Sequence, residues 1–108
     1  MKALDQGALR SMTLNQIDLT ARIAEISPLR YTPAGLPAIN LVLEHESEQT
    51  EAGSDRDVKL SIKAVAFGTL AEQVMRLDMS RSLRFKGFLA SARTGKSIIF
   101  HIQDLNPL

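Results

Sequence analysis

Apolar residues recur at every second position in five stretches of this chain and at helical spacing in one. From Asn15 to Ser27, Ile17, Leu19, Ala21 and Ile23 face one way and Asp18, Thr20 and Arg22 the other. That period of two predicts a strand with one wet face. Ile26 falls on the polar phase, so a bulge is expected near Ala24-Glu25, bending the strand enough to serve two sheets of a small barrel. Pro28 ends it. Thr32-Pro33-Ala34-Gly35 predicts a tight turn, with Pro33 fixing its own φ and Gly35 free to take positive φ. The second strand, Leu36 to His45, sets Ile39, Leu41 and Leu43 against Asn40 and Glu44. Glu46 to Asp57 has nothing to bury and reads as a long polar loop.

The third strand, Val58 to Phe67, has Val58, Leu60, Ile62, Ala64 and Ala66 on one side and Lys59, Ser61 and Lys63 on the other. Thr69-Leu70-Ala71-Glu72 matches a capping box. Leu70, Val74 and Leu77 then repeat at helical spacing, which predicts a short helix from Leu70 to Arg76 plugging one end of a barrel. Asp78 to Arg81 is a turn. In the fourth strand, Leu83 to Ala92, Leu83, Phe85 and Leu89 oppose Arg84, Lys86 and Phe88, and Gly87 marks a bend or a close backbone approach. Ala92 to Lys96 is a hairpin connection with Gly95 placed for positive φ. The fifth strand, Ser97 to Leu105, sets Ile98, Phe100 and Ile102 against Ile99, His101 and Gln103, two faces that pattern alone does not rank. Five strands with a helix between the third and fourth is the order of the all-β OB-fold barrel. Residues 1–14 show no sustained period and read as a flexible N-terminal leader to one domain, 15–108.

Composition changes the picture in three ways. A hydrophobic content of 44% in 108 residues suits one folded domain with one core. There is no cysteine, no apolar run long enough to span a membrane and no signal-peptide pattern, so a cytoplasmic protein without disulfides or thiolate metal sites is expected. The charge divides unevenly: residues 1–53 carry four basic and seven acidic groups, and residues 54–108 nine basic and five acidic. A basic second half points to a polyanion partner.

Catalytic chemistry has little to stand on. His45 and His101 each sit at a strand position outside any Ser-His-Asp or H-E-x-x-H setting. Glu44, Glu46 and Glu48 read as a solvated edge rather than a cation site. Arg93-Thr94-Gly95-Lys96-Ser97 lacks the first glycine of a phosphate loop and precedes a strand rather than a helix. No enzyme, cofactor or metal is expected.

Pro33, Gly35, Pro37, Leu43-Glu44-His45, Ser47, Gln49, Glu51-Ala52-Gly53 and Arg56, at this spacing, resemble the primosomal replication protein N family of bacterial replication-restart proteins, related to single-stranded-DNA-binding proteins. The resemblance runs from Asn15 to about Leu105. It implies a non-enzymatic homodimer that binds single-stranded DNA in the restart primosome. There it would stabilise and stimulate the restart helicase, primosomal protein N′, and help recruit the helicase-loading primosome protein. The expected DNA-binding residues are Arg30, Tyr31, Arg56, Lys59, Lys63, Arg84, Lys86, Arg93 and Lys96. The family usually has a glycine where Ala21 stands, and aromatic residues at positions aligned with Ser54 and Lys59. With aromatics at 5% and no tryptophan, phosphate contacts should dominate and binding should be salt-sensitive. The alternative is a protein-interaction adaptor on the same fold, with vestigial nucleic-acid contact.

Overall fold

The computed structural model describes residues 6–108. After a short helix, α1 (Gln6–Met12), the strands are β1 (Ile17–Ile26), β2 (Arg30–Tyr31), β3 (Pro37–Glu51), β4 (Ser54–Phe67), β5 (Ser82–Ser91) and β6 (Ile98–Pro107), with α2 (Thr69–Met75) between β4 and β5. The leader expected over 1–14 thus falls partly outside the described residues and partly on α1. Neighbouring strands follow the order β1-β5-β6-β4-β3, and β1 pairs again with β3, so five strands close on themselves. All barrel pairings are antiparallel except β4 with β6. This is the OB-fold barrel; β2 is a small addition at its rim, on β3.

β1 closes the barrel because it bends. Its pairing with β3 slips between Ile23 and Glu25, the position where the alternation broke. Its first half pairs with β5 and its second half with β3. Before β1, Asn15 extends the β5 ladder through its side chain: the amide donates to the Leu89 carbonyl (2.7 Å) and its oxygen accepts from the Leu89 N–H (3.0 Å).

The core is apolar throughout. Ile39, Leu41 and Leu43 of β3, Ala64 and Ala66 of β4, and Leu83 and Phe85 of β5 meet Ile23 and Ala21 of β1. Phe100 and Ile102 complete it, which settles the inward face of β6. Ala71 and Val74 bring α2 into the same cluster.

Two expectations are corrected. The long loop over Glu46 to Asp57 does not exist. β3 and β4 continue past the barrel as one two-stranded ribbon, paired without a break from Ala38–Phe67 to Glu51–Ser54. Ala52 (φ 51°) and Gly53 (φ 79°) make the two-residue turn, a positive-φ pair that matches the twist of the strands. The ladder needs backbone partners rather than burial, so a polar sequence forms it. The capping box also fails. Gly68 (φ 71°) is the N-cap, no side chain caps the helix, and Thr69 is already the first helical residue. The Gly68 N–H instead donates to the Pro37 carbonyl (2.8 Å), which sets the helix start by tertiary contact.

The root of the ribbon is tied to β1. The Thr20 carbonyl can only accept, so His45 Nδ1 donates to it (2.6 Å). In that tautomer Nε2 accepts a hydrogen bond from the Ser47 hydroxyl (2.7 Å), while Ser47 Oγ accepts from the Gln49 amide (3.0 Å). Beside this chain Arg22 pairs with Glu44 at 3.0 Å. His45, Ser47 and Gln49 therefore form a hydrogen-bonded chain on one face of the ribbon root, and the Arg22–Glu44 pair ties the other face to β1.

Candidate nucleic-acid interface

Residues directly opposite in a ladder share a face, so register assigns the outer surface. The pairs Asn40–Val65, Val42–Lys63, Lys63–Ile99, Val65–His101 and His101–Phe88 carry one continuous outer face across β3, β4, β6 and β5. A groove of about 970 Å³ lies on it. Two turns wall it. The β1–β3 connection supplies Arg30, Thr32 and Pro33; the β5–β6 connection supplies Ala92 and Arg93. The first turn is built as expected: the Gly35 N–H donates to the Thr32 carbonyl at 2.8 Å and Gly35 has φ 85°. The second closes through the Ala92 N–H to the Ser97 carbonyl at 2.7 Å, with Gly95 at φ 93°.

Three of the nine expected DNA-binding residues line this groove: Arg30, Lys63 and Arg93. Arg30 donates to Asn40 Oδ1 at 3.2 Å. Lys63 and Arg93 enter no ion pair among the described residues. Glu25 is the one carboxylate in the lining.

The other six lie elsewhere. Tyr31 is exposed on β2 beside Arg30 but outside the groove lining. Lys96 is exposed on the β5–β6 turn, also outside it. Lys59 and Arg56 are on the ribbon, Lys59 opposite Glu46, and Arg56 paired with Glu51 at 3.0 Å. Arg84 and Lys86 sit toward the start of β5, next to β1, where Arg84 Nε donates to Asp18 Oδ1 at 2.7 Å and Lys86 lies opposite Asp18. Arg56 and Arg84 are held by carboxylates, and Lys59 and Lys86 each lie across the ladder from one, so these four add little to the field over the groove.

The Arg84 hydrogen bond, reinforced by the charges of Arg84 and Lys86, holds the Asp18 carboxyl below its ordinary value of 3.8. A folded-state pKa below the unfolded one stabilises above the unfolded value and is lost as pH falls through the folded one. Asp18→Asn should therefore lower the melting temperature at pH 7 and flatten the fall in stability below pH 3.8, read by thermal melts across an acid series.

Register also assembles an aromatic floor that the sequence reading missed. His101 stacks on Phe88 with ring centroids 4.8 Å apart and planes 9° from parallel. Phe67 lies on its other side at 6.1 Å and 26°. Phe67 and His101 both line the groove, and Phe67 is 39% exposed. Phe67, Phe88 and His101 come from three strands, far apart in the chain. The local signal was that each sits at an outward position, Phe67 two residues after apolar Val65, His101 two after Ile99, and Phe88 on the side of its strand opposite Leu89.

A closed five-stranded barrel with a groove between these two turns defines an OB-fold of the single-strand-binding type. The chain matches a family model described as "another single-strand binding protein family" over residues 15–104. It is 44% identical over 92 residues to replication restart protein PriB of Bordetella pertussis, covering 84% of this chain and 86% of that protein. It is 40% identical over 92 residues to PriB of Neisseria meningitidis serogroup B, covering 84% and 91%. The crystal structure of PriB from Ralstonia solanacearum superimposes with a TM-score of 0.80 at 36% identity, over 88% of this chain and 98% of that one. A deletion mutant of the single-stranded DNA binding protein from Thermus aquaticus aligns with a TM-score of 0.68 at 25% identity, over 88% of this chain and 50% of that one. This chain belongs to the replication restart protein PriB family. No helix among the described residues is long and apolar enough to cross a membrane.

Proposed function

We propose that this protein is a non-enzymatic single-stranded-DNA-binding component of the replication-restart primosome, acting in the cytoplasm as a homodimer. The observation that carries the DNA-binding part is the groove itself: Arg30, Lys63 and Arg93 surround an aromatic floor of Phe67 and His101. Cations take the phosphates and rings take the bases, the combination that binds a single strand without reading its sequence. Double-stranded DNA keeps its bases stacked inside and cannot use the floor. The names of its relatives support the restart role. Through the resemblance described above, the partners are the primosomal helicase and the helicase loader, and the bound protein would hold the helicase on forked DNA and stimulate it.

Three groove cations imply a modest salt slope. At about −0.7 per neutralised phosphate, three contacts give a slope near −2, or roughly a 20-fold loss between 50 and 200 mM salt. Fluorescence anisotropy with labelled oligonucleotides should show that slope for single strands and weaker binding to duplex. Arg93→Ala should reduce the slope by about 0.7. A slope near zero, or a preference for duplex, would overturn the assignment.

The adaptor reading draws on the ribbon, whose charges are mostly acidic. Replacing the three groove cations, Arg30, Lys63 and Arg93, together by alanine separates the two readings. Loss of oligonucleotide binding with helicase stimulation intact would favour the adaptor.

A further inference from the structure

The face that carries the groove does not stop at the barrel. Following β3 and β4 outward from Val42–Lys63, the successive pairs on that same face are Glu44–Ser61, Glu46–Lys59, Glu48–Asp57 and Thr50–Asp55. The last cation facing the groove is thus followed by five carboxylates. Arg22 offsets Glu44 at 3.0 Å, and Lys59 lies across from Glu46. Glu48, Asp55 and Asp57 have no ion-pair partner among the described residues. Glu48 and Asp57 are directly opposite one another, a like-charge pairing that costs a ladder stability. The reverse face of the ribbon has one carboxylate, Glu51, and it is paired with Arg56 at 3.0 Å. From the Glu44–Ser61 pair to Glu51 the ribbon extends about 23 Å.

Resting on the groove assignment above, we propose that this acidic face is an electrostatic stop. A single strand lying across β3, β4 and β6 between Arg30 and Arg93 meets repulsion as soon as it passes Lys63 toward the ribbon. The ribbon therefore bounds the site. It confines DNA to the span between the two turns, keeps the footprint short and makes affinity per groove insensitive to oligonucleotide length beyond that span.

The test is a variant with the three carboxylates that enter no ion pair among the described residues made neutral at constant shape, Glu48→Gln, Asp55→Asn and Asp57→Asn; Asp55 accepts from the Thr50 hydroxyl at 2.9 Å, a bond that an asparagine oxygen can keep. Anisotropy would be measured with oligothymidines of about 8 and about 30 nucleotides, a range that brackets the usual site size of one such barrel. The variant should bind the long oligonucleotide at least about fivefold more tightly, with a steeper salt slope, and leave the short one unchanged. Equal affinities for the long oligonucleotide before and after substitution would overturn the stop, and so would equal tightening for both lengths. Lys63→Ala with Arg93→Ala, made in both backgrounds, tests the groove separately. If binding weakens in both, the groove reading stands whatever the ribbon does. If binding is unaffected in either, the strand lies elsewhere and both readings fall.

Discussion

Gly87→Ala should leave little folded protein. A Cβ built at Gly87 would lie 1.8 Å from the His101 carbonyl oxygen, 2.7 Å from Phe100 Cε1 and 2.9 Å from the His101 carbonyl carbon. Two of those atoms are backbone of the neighbouring strand and the third belongs to a fully buried ring, so none can yield cheaply. The pairing of β5 with β6 slips between Lys86 and Gly87, which is how the two chains come so close. Separating them would break the β5–β6 ladder and open the core at Phe100. The expected loss exceeds about 4 kcal/mol, above the range of about 1–3 kcal/mol usual for core overpacking, because no neighbouring atom here can yield. Chemical denaturation monitored by circular dichroism would measure it. A variant within about 1 kcal/mol of the parent would show that the strands do not approach this closely.

Phe67→Ala should weaken single-strand binding by about 1–3 kcal/mol, roughly 5- to 150-fold, while leaving the salt slope near −2. The ring is partly exposed at the groove and outside the core cluster, so the loss should appear in binding and not in stability. Stacking and phosphate contact separate cleanly in this comparison. Removing a ring lowers affinity equally at every salt concentration, whereas removing Arg93 changes the dependence on salt. Unchanged affinity in Phe67→Ala would mean that the floor carries no base.

Most of the barrel was legible because its signals are local. The period of two located all five barrel strands, and the slip at Ile26 located the bulge at Ile23/Glu25. Gly35, Gly87 and Gly95 each marked a turn or close approach that the structure contains. The ribbon was illegible for a physical reason: with both faces wet, a ladder leaves no hydrophobic trace, and Glu46, Glu48 and Asp57 look like any solvated segment. Thr69 misled because a local capping motif lost to the contact between Gly68 and Pro37.

The interface was less legible than the fold. Counting cations along the chain cannot tell Lys63, which is in no ion pair, from Arg84, which is held by Asp18. Nor can counting aromatics show that Phe67, Phe88 and His101 meet. That meeting depends on the β4–β6 and β5–β6 registers, both of them long-range. A 5% aromatic content looked too poor for base contact, yet two phenylalanines and a histidine gathered at one place make a usable surface.

The parallel union of β4 with β6, where Lys63 to Val65 meet Ile99 to His101, has a bearing on synthesis. Until β6 emerges from the ribosome, β4 lacks its partner on one side and β5 lacks one of its two, although β1 is already available to β3. Contacts so distant in sequence make for slow, late folding. The nascent chain should stay accessible to proteases until β6 has emerged, and removal of β6 (Ile98–Pro107) should prevent the native state rather than trim it.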